Sequence, residues 1–142
     1  AAGLVGLPQV ISVGALDMVN FGPPETVPEK FDGRRFYQHN SAVTLMRTTE
    51  AENGQLGEIL ARKANAAKGP VVVILPLRGV SAIDSDGKDF YLPEADANLF
   101  AAIRQHIESH VKLVEVDCHI NDPIFAERIV EEFLGAYARV EN

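Results

Sequence analysis

The chain predicts an α/β layered fold: a mostly parallel sheet with helices on its faces. Three observations point there. Short apolar runs read as buried strands, longer segments carry helical spacing, and the two kinds alternate along the chain. Alternation of this sort favours right-handed crossovers between parallel strands.

The strand runs are Gln9–Val13, Val71–Leu75 and Lys112–Val116. The second is Val71-Val72-Val73-Ile74-Leu75 and contains no polar residue, as expected of a strand covered on both faces. Val43–Thr48 alternates and is a weaker fourth candidate. The first helix opens at Thr49 with Glu52 three residues on, a capping-box pattern. It places Leu56, Ile59, Leu60, Ala64 and Ala67 on one stripe and stops near Gly69-Pro70. Gly54 and Gly57 each weaken its early turns by about 1 kcal/mol relative to alanine. The second helix starts at Pro93-Glu94 and carries Leu99, Phe100, Ile103 and Ile107. The third starts at Pro123 behind a candidate N-cap, Asp122, with Phe125, Ile129 and Phe133 joined by Ala126, Val130 and Tyr137. Gly22 through Gly33 reads as a long irregular loop, a feature that in compact domains is usually functional.

At 142 residues the chain fits a single domain, 1–142, large enough to bury about 68–70% of its unfolded surface. With 46% hydrophobic and 23% charged residues it is neither disordered nor collagenous. The net charge of −7 repels phosphate backbones, so no direct nucleic-acid contact is expected. No apolar run reaches the ~18 residues that span a bilayer, so no membrane partner is expected. Cys118 is the single cysteine, which excludes an internal disulfide and fits a reducing, cytoplasmic setting. The chain begins Ala1-Ala2-Gly3 with no basic region before an apolar one. The expectation is a domain cut from a longer protein rather than an intact signal peptide.

Ligands of open α/β sheets bind beyond the carboxyl ends of the strands. The polar residues after the first strand are Asp17, Asn20, Arg34, Arg35, His39 and Asn40. Arg47, Thr48 and Thr49 end the fourth candidate strand. Arg78, Gly79, Ser81, Asp84, Ser85, Asp86 and Gly87 follow the second main strand; Asp117, Cys118, His119, Asn121 and Asp122 follow the third. The opposite turns, Lys68-Gly69-Pro70 and Ser109-His110, are plain. One rim of the sheet is therefore expected to carry the function.

Each group has two readings. Arg47-Thr48-Thr49 at a helix start holds an anion, or simply caps the helix. The Leu77–Ser81 turn with Asp84 and Gly87 binds phosphate or a carboxylate, or is a loop held by its own aspartates. It has neither a phosphate-loop lysine nor spaced dinucleotide glycines. His119 acts in acid–base chemistry or is an oriented structural histidine, and His39 beside Asn40 poses the same choice. Cys118 is a nucleophile beside His119 or inert packing. His106 and His110, four apart, read as solvated or as a weak metal pair, and Glu131-Glu132 as a solvated face. Asp17, His39 and His119 lack the tight spacing of known metal motifs, and no metal site is expected.

Longer motifs then carry a resemblance. They are Arg35-Phe36-Tyr37-Gln38-His39-Asn40, Val43–Thr49, Pro76–Ser81 through Asp84, Pro93-Glu94-Ala95-Asp96, and His119-Ile120-Asn121-Asp122-Pro123. From about Gly6 to Val140 the chain resembles the tomato mosaic virus resistance protein-like ATP-binding domain family, whose members mostly have no assigned role. The resemblance implies a Rossmann-like layered fold and the second of two such subdomains, the C-terminal half of an ATP-binding region. The missing N-terminal subdomain would carry the glycine-rich loops. It also implies ATP with Mg2+ bound mainly by the intact two-subdomain protein, and a homodimer. Leu92 stands where the pattern leads one to expect an aspartate. The ligand-binding residues expected on these grounds are Asn40, Arg47, Thr48, Thr49, Arg78, Gly79, Ser81 and Asn121. An enzyme acting on a small anionic or carboxylated substrate, with His39, Asp84, His119 and Asp122 as acid–base groups, is the first alternative. A dimerisation or interaction module without chemistry is the second.

Overall fold

The computed structural model describes residues 2–140. Two small sheets organise them. The first is parallel, ordered β1 (Gln9–Ser12), β5 (Val71–Pro76), β6 (Lys112–Val116). Gln9 pairs with Val71 and Val72 with Lys112, so the apolar β5 lies between two neighbours. All six of its residues are buried, which is why its sequence needs no alternation. The second sheet is antiparallel: β2 (Met18–Phe21), β4 (Val43–Arg47), β3 (Phe36–Asn40). The segment after β1 therefore contains two strands as well as loop, and β4 joins them rather than the parallel sheet. The stretch between β2 and β3 is irregular apart from two short 3-10 turns, Pro24–Thr26 and Glu29–Phe31.

Helices cover both faces of the parallel sheet. A short α1 (Ala2–Val5) precedes β1. On one face α2 (Glu50–Asn65) and α3 (Pro93–His106) pack on Val13, Val71, Val73 and Leu75, with Leu99, Phe100 and Ile103 supplied by α3. On the other, α4 (Pro123–Ala138) lays Phe125 and Ala136 on Val72, Ile74 and Val114. Successive residues of β5 thus serve opposite cores, the period-two rule of a strand. Cys118 belongs to the second core, and burial pushes its thiol up, away from the reactive thiolate. Among the described residues no helix is long and apolar enough to cross a membrane.

The helices depart from their sequence patterns in informative ways. The Thr49–Glu52 capping box is present in both directions. Yet α2 turns Asn53, Gly57, Ala61 and Ala64 inward, while Leu56 and Leu60 are half-buried and Ile59 is exposed. The contact with α3 is made by small residues. A Cβ at Gly57 would lie 2.6 Å from the Leu99 carbonyl and 2.8 Å from the Ala102 methyl. Asp122 sits at the N-cap of α4 but makes no cap bond there. Its carboxylate instead accepts from the His119 N–H, 2.8 Å away. Glu132, expected in solvent, is buried and accepts from Lys112 at 2.6 Å and from Arg128 at 3.1 Å. His110 lies beyond the end of α3; it and His106 each meet a separate backbone carbonyl.

The two helix glycines should respond with opposite signs. A methyl added at Gly54 would meet nothing within 4 Å, so Gly54→Ala should stabilise by up to about 1 kcal/mol. Gly57→Ala gains the same propensity but overpacks the α2–α3 contact, at a cost of about 1–3 kcal/mol or more. A lower urea midpoint for Gly57→Ala and a higher one for Gly54→Ala is the expected result.

Candidate functional site

The β1, β5 and β6 strands end on one side, and the loops leaving them are stitched together. Ala15 N–H donates to the Val80 carbonyl, Arg78 N–H to Cys118, and Ile120 N–H to Gly79. Gly79 has φ +129°, and a Cβ there would fall 1.9 Å from the Asp84 carbonyl oxygen and 2.7 Å from the His119 ring. Only glycine allows the loop after β5 to fold so tightly over the sheet edge.

Beneath that loop lies a buried polar cluster. Arg47 at the end of β4 is 2% exposed. Its Nε donates to the Phe90 carbonyl at 2.8 Å, and its Nη2 to Asp96 at 2.7 Å and to the Leu92 carbonyl at 3.4 Å. Nη1 donates to Thr48 Oγ1 at 3.2 Å. The Asn53 amide oxygen, turned toward Arg47, accepts from the same nitrogen at 3.2 Å. Asp84 Oδ1 stands 3.7 Å from Nη2 and accepts no hydrogen bond, while Asp84 Oδ2 accepts from the Val80 N–H at 2.8 Å. Asp17 accepts from the Ser81 hydroxyl at 2.6 Å, and its other oxygen has no hydrogen-bond partner. Arg47 thus ties β4 to the 77–92 loop and to the start of α3.

Burial works against the ionisation of two of these carboxylates, Asp17 and Asp96. Burial pushes Asp96 up to about 7; the neighbouring Asp84 adds to this and Arg47 opposes it. Burial likewise raises Asp17 against the Ser81 bond and Arg47.

Above the cluster opens a cleft of about 430 Å³ between the loop after β5 and the first turn of α3. Leu77, Arg78, Gly79, Asp86, Tyr91 and Pro93 line it, with Asp96 and Phe100 at its inner side. Arg78 is exposed and forms a two-pronged pair with Asp117 at 2.6 and 2.7 Å. That bond holds the Asp117 carboxyl below its usual range. Arg35 brackets the outer edge by donating to the Tyr91 carbonyl at 3.1 Å.

The expected site residues divide accordingly. Arg78 and Gly79 line the cleft. Arg47 and Thr48 are buried behind it, Thr49 caps α2, and Ser81 and Asp84 hold the loop from below. His119 lies at the same edge with both ring nitrogens engaged: Nε2 meets the Ser81 carbonyl at 2.9 Å, and Nδ1 accepts from the Asn121 N–H at 3.1 Å. A neutral ring with its proton on Nε2 satisfies both. His39 and Asn40 belong elsewhere. Asn40 accepts from the Ala42 N–H at the β3–β4 turn, and that turn lies roughly 14 Å along β4 from Arg47 at about 3.4 Å per residue. This separates His39 from Asp17 and His119, and among the described residues no three potential ligands gather for a metal ion. Sequence reasoning gave no role to Tyr91, nor to Asp96 outside its motif. An acid in the first turn of a helix reads as an ordinary response to the helix dipole, and only tertiary packing shows it turned inward.

These features define an α/β domain with an open ligand-sized cleft at the carboxyl edge of its parallel sheet. The chain belongs to the family described as Uncharacterised protein family (UPF0261), whose C-terminal domain matches residues 1–137. It is 47% identical over 136 residues to a UPF0261 protein of Clostridium tetani, covering 95% of this chain and 34% of that protein. It is 48% identical over 138 residues to one of Rhizobium meliloti, again 34% of its length. It is also 46% identical over 130 residues to the ToMV resistance protein Tm-1 of Solanum lycopersicum, covering 90% of this chain and 17% of that protein. The chain thus spans about a third of the length of these bacterial relatives.

The carboxylate cluster gives stability a definite pH dependence. Asp96 has a folded pKa of about 7 against 3.8 for an ordinary aspartate. Between those values the native state holds the extra proton, so this group's contribution to stability falls as pH rises from about 4 to about 7 and levels off above. Urea midpoints across this range should show the decline for the native chain and a weaker one for Asp96→Asn, which cannot titrate.

Proposed function

We propose that this domain forms one wall of a nucleotide-binding site for ATP with Mg2+, completed by the N-terminal part of the full-length protein. The observation that carries this reading is the cleft at the carboxyl edge of the sheet, where α/β folds receive ligands. The residues present fit one side of such a ligand. Arg78 supplies a cation at the cleft mouth, Tyr91 an aromatic surface, and Asp86 a carboxylate toward a hydrated cation. They do not form a phosphate cradle, because Gly79 turns its bare Cα toward Asp84 and His119. The backbone donors for a triphosphate are therefore assigned to the remainder of the polypeptide. A cytoplasmic setting accords with the buried, unpaired thiol of Cys118.

Binding fits the geometry better than acid–base catalysis. Asp84 and His119 are spent on holding loops, Asp122 receives the His119 N–H, and His39 is remote. Arg47 acts on the ligand through its neighbours, by fixing the carbonyls of Phe90 and Leu92 on either side of Tyr91.

Calorimetry of the full-length protein with the magnesium–ATP complex tests the assignment. Arg78→Ala should weaken binding about tenfold, near 1.4 kcal/mol, with an unchanged melting temperature. Asp117→Asn, which frees Arg78 from its carboxylate, should bind at least as tightly as the native protein. Equal affinity of Arg78→Ala and native protein removes Arg78 from the site.

A further inference from the structure

Helix α4 is apolar on two sides, and only one side is used. Phe125 and Ala136 face the sheet, with Glu132 buried on the same flank. At 100° per residue, Val130, Phe133, Leu134 and Tyr137 form a second stripe displaced from the first. All four are exposed, Val130 by 56% and Leu134 by 61%. A shallow apolar depression runs along this side between Ala126, Val130 and Leu134, with Glu127 and Glu131 on its border. Contiguous apolar surface rimmed by polar residues marks an interaction site.

Two occupants are conceivable, and charge separates them. In a two-fold antiparallel pairing of α4 with its copy, both helices turn the same flank to the same side. Glu127 and Glu131 of one copy would then meet the same acids of the other, and of the two only Glu131 has a base beside it, Arg128 at 3.6 Å, which it shares with the buried Glu132. Like charges so placed disfavour the pairing. The second occupant is covalently at hand. The matched family region is a C-terminal domain, and about two thirds of each bacterial relative lies outside the match. The start of α4 is also tied to the carboxyl edge of the sheet, through the bond of Asp122 to His119 and that of Ile120 to Gly79. A body seated on α4 therefore adjoins the functional edge.

We propose that the outer face of α4 is the seat of the N-terminal part of the same polypeptide, which presents an apolar surface bordered by basic residues. The contact does not depend on nucleotide binding, and its test does not involve the cleft.

Single cysteines in the full-length protein provide that test. Leu134→Cys and Val130→Cys place thiols on the stripe, and Glu58→Cys places a reference thiol on the exposed side of α2. Reaction with a maleimide should be at least tenfold slower at positions 130 and 134 than at 58. The protection should persist when the protein is diluted until sedimentation shows a monomer. Rapid labelling at both stripe positions overturns the proposal. Protection that disappears on dilution assigns the face to a second copy and overturns it equally.

Discussion

Arg47 is a cation taken out of water, and such a group is tolerated only when its desolvation cost of several kcal/mol is offset by close partners. Here the partners come from three places. Thr48 and Asn53 are local, the Phe90 and Leu92 carbonyls belong to the loop after β5, and Asp96 belongs to α3. The antiparallel sheet, the loop and the helix are thereby held around one planar group. Arginine suits this role because its donors lie in a fixed fork and its charge does not titrate away. The cluster also carries more carboxylate than one guanidinium can neutralise, so a proton is retained within it near neutrality.

The cleft inherits its shape from this arrangement. Its floor is the loop that Arg47 grips, its inner wall is the first turn of α3, and its mouth is guarded by the exposed pair of Arg78 and Asp117. Two arginines flank this cleft in different states. One is buried and saturated; the other is exposed and paired with Asp117 in solvent. An ion pair open to solvent is worth at most about 1 kcal/mol, so the pair fixes Arg78 only weakly.

Much of this was legible in the sequence, and the reasons for the remainder are physical. The unbroken apolar run of β5 announces a strand covered on both faces, and the Thr49–Glu52 spacing announces a cap; both follow from local rules. Strands β2 and β3 were hidden because Met18–Phe21 is too short to establish a period and Phe36–Asn40 is mostly polar. Such strands exist through their pairing with β4, which is non-local information. The inward face of α2 was legible only in part, for a related reason. Ala64 of the expected stripe is buried and Leu56, Leu60 and Ala67 pack at the edge of the core, but Ile59 is exposed and close helix packing also selected Gly57 and Ala61. At the site, the loops after β1, β5 and β6 meet at one sheet edge, whereas His39 and Asn40, expected on the same rim, lie toward the β3–β4 turn. Which side chains face outward depended on bonds between residues some forty positions apart, such as Arg47 with Phe90.

The small-residue seam between α2 and α3 has a mechanical side. Because Gly57 lets the two helix backbones nearly touch at Leu99–Ile103, α3 has no room to rock toward α2, and its first two turns form a wall of the cleft. Position 57 is thus a spacer of zero thickness placed behind a jaw. Shimming it would tilt the jaw from the rear, so the aperture is governed by a residue that no ligand could touch.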